Sequence, residues 1–414
     1  MAAASPGSSQ RTEGDHLETT VGRGRLAIVG GRVLPVTGPP IQDGMVLVDS
    51  DGRIEAVGRE LRVPEGVERV QAAGKVVVPG LVDAHTHLGV HEEAEGWAGE
   101  DTNEKTDPVT PQLRVLDAIN PADLGFADAV AGGVLTVNIN PGSANPIGGQ
   151  SAALRTAGHS VEEMVLRAPS GMKSALGENP KRVYGERKQL PSTRLGVAAV
   201  IRDALVKTAN YLAKRDHGGE EPFERDLRWE ALGLVLEGEL PWRQHCHRAD
   251  DIATALRLAE EFGYRLVIDH GTEAVQLADR LAERRVPVLL GPLLTARSKV
   301  ELRHRSLANP ARLAAAGVEL AIITDHPVIP VHLLHVQAAL AVREGLDPAT
   351  ALRALTLTPA RVLGLEDRLG SLEPGKHATL CLWSGDPLDA RSRVETAWIE
   401  GRQVFTANPA RPPF

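Results

Sequence analysis

Four apolar, strand-like runs of this sequence end in histidine or aspartate, although they lie far apart along the chain. These runs are Val82–His87, Trp242–His247, Leu266–His270 and Ala321–Asp325. A parallel barrel gathers the carboxyl ends of its strands around one mouth, so side chains about 240 positions apart can meet there. This pattern predicts a barrel with one metal-binding site, to which all four runs contribute.

The bulk composition is ordinary for a globular protein of the size of an enzyme. The 414 residues suffice for one barrel of about 250 residues plus an accessory domain. An aromatic content of 3% and a net charge of −8 argue against nucleic acid and anionic membrane surfaces as partners. Two cysteines indicate no disulfide framework.

The expected location is the cytoplasm. The first residues, up to about Val21, are polar and lack the apolar core of a secretory signal. No apolar run reaches the roughly 18 residues that a membrane span needs. We therefore expect a small-molecule substrate and no membrane partner, and a homo-oligomer stays open.

The order of strand and helix patterns predicts an α/β fold, a (β/α)₈ TIM-like barrel with a small β-sandwich domain built from both chain ends. Strand patterns lie near 81–87, 134–140, 150–156, 170–176, 242–247, 265–270, 286–291 and 318–325. Helical spacing is found over 195–215, 250–262 and 274–283. The predicted units are a disordered tail over 1–23, a composite sandwich over 24–80 plus 366–407, and the metal-binding barrel over 81–365.

The first and last runs contain three candidate metal ligands. Residues i and i+2 of a strand face the same side, so His85 and His87 can both point into the mouth. Neutral imidazoles suit zinc and similar ions. Asp325, at the end of the last strand, can bind metal and accept a proton from the attacking water.

The two middle runs add further candidates. His245 and His247 repeat the i, i+2 spacing, and we expect one of them to bind metal and the other to touch substrate or form a hydrogen bond. Cys246 should face the opposite way, into the layer between barrel and helices. His270 ends its strand, and Asp269 should face outward and pair locally.

Other residues are candidates for substrate binding. Asn145 lies in the glycine-rich loop after the second strand, which should overhang the mouth. Arg182 and Tyr184 follow the fourth strand and could recognise a substrate carboxylate. His247 completes this group.

Three segments resemble the amidohydrolase superfamily, and most closely its imidazolonepropionase-related branch. Residues 77–87 (VVPGLVDAHTH) resemble the first-strand motif, and 355–364 (LTLTPARVLG) and 370–376 (GSLEPGK) resemble the tail. The resemblance implies that His85, His87 and Asp325 bind one divalent metal. It also implies that His245 and His270 bind a second.

The resemblance further implies a bridging ligand from the fourth strand. Glu178, at the strand end, is already a carboxylate and is preferred. Lys173, inside the strand, is the alternative, and it would need modification by carbon dioxide to become an anionic ligand. One or two divalent metals per chain are expected, with zinc as the expected ion.

The function implied is metal-dependent hydrolysis of a C–N bond in a cyclic amide or peptide-like amide, with Asp325 as general base. A heterocycle deaminase with one metal is an alternative. Arg248 argues against the deaminase, because related deaminases tend to carry glutamate at that position. A catalytically inactive barrel that serves as a binding scaffold is the second alternative. Metal content separates the three.

Overall fold

Two sheets organise the chain. They are seen in a computed structural model that describes residues 25–217 and 223–408, so the tail predicted over 1–23 lies outside the described residues. The strands are β1 (Leu26–Val33), β2 (Ile41–Val48), β3 (Ile54–Gly58), β4 (Glu68–Gln71), β5 (Val76–Pro79), β6 (Leu81–Thr86), β7 (Val134–Ile139), β8 (Ile147–Arg155), β9 (Val165–Ala175), β10 (Trp242–Cys246), β11 (Leu266–His270), β12 (Val288–Leu290), β13 (Leu320–Ile322), β14 (Leu380–Trp383), β15 (Val394–Ile399) and β16 (Arg402–Thr406).

The helices lie mostly between the strands β6 to β14. They are α1 (Leu124–Ala131), α2 (Val161–Met164), α3 (Glu178–Glu186), α4 (Arg194–His217), α5 (Leu227–Leu236), α6 (Ala249–Phe262), α7 (Ala278–Glu283), α8 (Asn309–Ala315), α9 (Leu334–Arg343), α10 (Pro348–Ala354) and α11 (Leu357–Val362). Short 3₁₀ turns span Gly96–Gly99, Val115–Asp117, Ala274–Leu277, Val300–Leu302 and Val331–Leu333. None of the helices within the described ranges is long and apolar enough to cross a membrane.

Strands β6 to β13 form one eight-stranded sheet in chain order, a nearly closed barrel. All eight strands lie where the sequence predicts them, but the expectation of a wholly parallel barrel is wrong. Strand β8 runs antiparallel to both β7 and β9. The link between β7 and β8, residues 140–146, contains no helix. Antiparallel neighbours can be joined by such a short link, whereas parallel neighbours need a long crossover.

The other sheet joins the two ends of the chain. It is eight-stranded, and in it β14 pairs antiparallel with β5, Leu380 lying opposite Pro79. The predicted pairing of C-terminal with N-terminal strands is therefore confirmed. The sandwich arrangement and the domain boundaries stay predictions.

The lower part of the barrel interior is apolar. Val82, Val267 and Leu289 pack there against residues at and after α11, such as Leu363 and Leu369. Helix α11 and the residues after it thus close the floor of the barrel, and polar side chains are left for the opposite end.

Hydrogen bonds between side chain and backbone close the barrel between its first and last strands. The hydroxyl and backbone N–H of Thr324 donate to one oxygen of Asp83, at 2.5 and 3.1 Å. The N–H of Asp325 donates to the carbonyl of His85, and Thr86 forms a single parallel bridge with His326. Both Asp83 and Thr324 are fully buried. The side chains that follow on the two strands are thereby held next to each other.

Replacement of Thr324 by valine tests this closure. The variant keeps the side-chain shape but leaves a buried carboxyl oxygen with one donor fewer, so we expect a loss of about 1–3 kcal/mol in the free energy of unfolding. Urea titration followed by circular dichroism measures it. Thr324→Ser keeps the hydroxyl and serves as control, and equal stability of the valine variant and the native protein would contradict the closure.

Glu400 links the terminal sheet to the barrel and should make stability depend on pH. Nδ1 of His377 lies 3.1 Å from the Glu400 carboxylate and Arg155 of β8 donates to it at 2.6 Å, and these contacts, that of His377 foremost, lower its pKa to about 2. A depressed carboxyl pKa contributes stability above the ordinary value of about 4.5 and loses it as the pH falls toward 2.

The Glu400→Gln variant should be less stable than the native protein at pH 7 by about 1 kcal/mol, since the Glu400 side chain is 16% exposed and solvent screens part of its attraction to His377 and Arg155. The difference should shrink as the pH falls below about 4.5. Thermal unfolding between pH 7 and pH 3.5 checks this, with the exposed Glu344→Gln as control. A difference that is independent of pH would refute the assignment.

Candidate metal centre

Six side chains with metal-ligating atoms converge at the mouth of the barrel. His85, His87 and Asp325 form one group, and His245, His247 and His270 form a second. Within each group, the candidate ligand atoms lie within 4.8 Å of one another. The two groups adjoin, because the rings of His85 and His270 are 4.8 Å apart between centroids.

Asp325 is the centre of the first group. One of its carboxylate oxygens lies 3.4 Å from Nε2 of His85 and 3.5 Å from Nε2 of His87. The second group is a compact triangle, in which ring centroids of His245, His247 and His270 are 4.4–4.9 Å apart. The sequence pattern left one of the pair His245 and His247 for substrate, whereas the structure places both in the triangle.

Strand alternation breaks down at the strand ends, which explains one wrong expectation. Asp269 was expected to face outward, but it is fully buried and lies 3.0 Å from Nδ1 of His85, inside the barrel. His270 has a left-handed backbone conformation, with a φ of +74°. This ends the strand alternation and lets its side chain reach the mouth as well. Asp325 has the same kind of conformation, with a φ of +56°. Cys246, by contrast, packs in the apolar layer between barrel and helices, as alternation predicts.

Neighbouring oxygen atoms orient most of the rings. Nδ1 of His87 lies 2.8 Å from the carbonyl of Asn140, and Nδ1 of His270 lies 2.9 Å from that of Gly291. A carbonyl only accepts, so each Nδ1 carries the proton and each Nε2 keeps its lone pair. Nδ1 of His247 lies 2.8 Å from the hydroxyl of Thr272. Nδ1 of His245 is buried and has no hydrogen-bond partner among the described residues.

Burial sets the charge state of this cluster. It is the main reason why the pKa values of His85, His245 and His247 lie well below the usual histidine value, and it lowers the pKa of His270 as well. Burial opposes ionisation of Asp325, but the histidines, His270 foremost, outweigh it and hold the pKa of that carboxyl below its usual range. Neutral imidazoles beside a carboxylate are the donors that zinc and similar ions take. The residues therefore fit a divalent metal.

Lys173 and Glu178, the two candidates for a bridging ligand, are placed very differently. The ammonium nitrogen of Lys173 lies 3.1 Å from Nε2 of His85 and 3.4 Å from the carboxylate of Asp269, and its side chain is 1% exposed. Burial lowers the pKa of this lysine. Glu178 begins α3 after Gly177, whose φ of +90° turns the chain, and it lines a shallow cavity on the outer face of that helix. In the described ranges its carboxylate makes no hydrogen bond to the histidines.

The residues predicted to bind substrate have other partners. The hydroxyl of Tyr184 donates to Asn145 at 2.6 Å, and the amide of Asn145 donates to the carbonyl of Glu104 and the hydroxyl of Thr110. Both side chains are buried, so they brace the loops that they join. Arg182 is exposed and lines the same outer cavity as Glu178.

Three polar residues near the cluster were missed by the sequence pattern, and a fourth, Asp269, was assigned the wrong direction. Asp269 and Arg243 lie beneath His85, as the ion pair between them shows. Asn179 approaches Nε2 of His245 to 3.4 Å, and Lys299 donates to Asn179 at 3.4 Å. Arg243 shares a strand face with His245, two positions on, and this spacing could have indicated it. Lys299 lies in a loop, where periodicity gives no signal.

The fold and the donor set agree with comparisons to known proteins. Residues 199–405 match the family described as "Amidohydrolase family". A crystal structure of an amidohydrolase from Thermotoga maritima MSB8 is 49% identical, superposes with a TM-score of 0.90, and is matched over 92% of this chain and 100% of its own.

Two curated relatives are more distant in sequence. An imidazolonepropionase from Aromatoleum aromaticum is 29% identical over 84% of this chain and 86% of its own length. Amidohydrolase tasK from Hapsidospora irregularis is 30% identical over 87% of this chain. The match covers 40% of tasK, which is a longer protein. The chain therefore belongs to the amidohydrolase family, metal-dependent hydrolases of C–N bonds, in the branch related to imidazolonepropionase.

Proposed function

We propose that this protein hydrolyses the C–N bond of a cyclic amide or a peptide-like amide with two divalent metal ions, zinc being the expected ion. The observation that carries the proposal is the convergence of the two ligand groups at one barrel mouth. Asp325 with His85 and His87 would hold one metal, and the three histidines of the second group would hold the other.

When bound, such metals supply a hydroxide nucleophile at neutral pH and polarise the carbonyl oxygen of the substrate. The chain itself handles the proton. The carboxylate of Asp325 is 17% exposed at the mouth, so it can accept a proton from the attacking water and pass it to the leaving nitrogen. Asn179 and Lys299 at the rim offer N–H donors that can orient a polar substrate.

Lys173 rather than Glu178 would link the two groups. Its nitrogen lies 3.1 Å from Nε2 of His85, whose ring is 4.8 Å from that of His270 in the second group. Addition of carbon dioxide to the neutral amine forms an N–C bond and releases one proton, which leaves a carbamate whose single negative charge is shared by two oxygens. Glu178, on the outer face of α3, offers no comparable approach.

Metal content tests the proposal directly. Protein purified with zinc should contain about two metal ions per chain, and His85→Asn and His245→Asn should each lose about one. Inductively coupled plasma mass spectrometry measures the stoichiometry, and a panel of cyclic and acyclic amides measures hydrolysis. His335→Asn, at a buried histidine outside the cluster, is the control.

Each stoichiometry has a defined meaning. About two metals with amide hydrolysis supports the proposal. About one metal with release of ammonia from a heterocycle would identify a deaminase instead. A chain that binds no metal would be the inactive scaffold.

The role of Lys173 has its own test. Lys173→Ala should lose metal affinity and hydrolysis, and acetate or propionate should restore part of both by replacing the missing carboxylate. Glu178→Gln is the matched variant and should leave metal content unchanged. Loss of metal from Glu178→Gln together with its retention in Lys173→Ala would reverse the assignment.

A further inference from the structure

We infer that Arg243 and Asp269 are positioning residues that orient His85 for the metal and hold its imidazole in one tautomer. The inference rests on the metal centre proposed above, and it assigns a purpose to an ion pair buried beneath that centre. Both side chains are at most 1% exposed.

Asp269 fixes the imidazole ring of His85. One carboxylate oxygen lies 3.0 Å from Nδ1 of His85, while Nε2 on the opposite side of the ring faces Asp325 at 3.4 Å. A carboxylate at Nδ1 keeps the proton on that nitrogen and leaves the Nε2 lone pair for a metal. Without Asp269, the ring could take either tautomer.

Arg243 fixes Asp269 and the backbone of His85 together. Its Nε and Nη2 donate to one oxygen of Asp269 at 3.2 and 3.0 Å, and Nη2 also donates to the carbonyl of Ala84 at 2.7 Å. Ala84 directly precedes His85. The planar guanidinium can make these bonds at once, whereas a lysine ammonium presents a single centre.

The strand register places the pair on neighbouring strands, on the side that His245 shares. Arg243 and His245 lie on the same side of β10, and His245 is opposite Asp269 on β11. Among the described residues, the polar contacts of the pair reach the ring of His85 and the carbonyl of Ala84 but not His245, His247 or His270. The effect on metal binding should therefore be confined to one site.

Stability alone does not account for the pair. A buried ion pair can often be exchanged for apolar residues of similar volume without loss of stability, because desolvation offsets most of the attraction. The arginine also keeps Nη1 buried without a hydrogen-bond partner in the described part of the chain. Such an arrangement is better explained by the orientation of a metal ligand.

Arg243→Lys is the first test variant, since it keeps the buried positive charge but lacks the planar guanidinium with its several N–H donors. We expect the affinity of one metal to fall about 10–100-fold and that of the other to stay unchanged. Zinc and cobalt titrations by calorimetry give both affinities. Arg155→Lys, at another ion-paired arginine of the barrel, should change neither.

A second readout needs no metal. In metal-free protein labelled with ¹⁵N-histidine, nuclear magnetic resonance should show His85 as the Nδ1–H tautomer, and in Arg243→Lys this signal should weaken or shift. A purely structural role would lower both metal affinities together and leave the tautomer unchanged.

The two readouts keep this inference separate from the proposed function. A native protein that binds no metal would refute the metal centre. The tautomer of His85 would then be the one remaining test of the positioning role of Arg243. Unchanged affinities, or equal loss at both sites, or an unchanged tautomer would overturn the positioning role. If Arg243→Lys does not fold, Arg243→Gln removes the guanidinium and leaves Asp269 paired with Lys173, and the same outcomes apply.

Discussion

The closure between β6 and β13 is the constraint on which the candidate site depends. These strands are the first and last of the barrel, and the chain between Asp83 and Thr324 must return to its starting point before the two can bond. Ordering so long a loop has an entropic cost, which the closing contacts must offset. Because His85 and Asp325 lie within two residues of Asp83 and Thr324 and share a backbone hydrogen bond, closure of the barrel also brings these two ligands together.

The barrel interior changes its character from floor to mouth. Apolar residues fill the floor, a charged layer of Lys173, Arg243 and Asp269 lies above it, and the histidines occupy the mouth. Charges buried this deeply are tolerated when they are paired and hydrogen-bonded. Because the site is buried, little water screens its charges. A bound cation and its ligands would therefore interact more strongly there than at the surface.

Much of this arrangement could be predicted from the sequence, because apolar runs that end in a ligand mark both a strand and its carboxyl end. The eight strand positions and the convergence of His85, His87, His245, His270 and Asp325 follow from that pattern. The direction of β8 does not, since an apolar run reads alike in either direction. The short link over 140–146 held the relevant signal, because it is too short for a parallel crossover.

Side-chain direction failed as a guide at the strand ends, and the reason is conformational. Alternation assumes extended backbone, but His270 and Asp325 have positive φ angles, so Asp269 and His270 both face inward although they are consecutive. Left-handed conformations of such residues cost about 1–3 kcal/mol and persist where surrounding contacts hold them. The bonds of His270 to Gly291 and of Asp325 to His85 are such contacts. At the end of β11 the positive φ of His270 lets two consecutive side chains face inward, Asp269 toward the charged layer and His270 into the second ligand group.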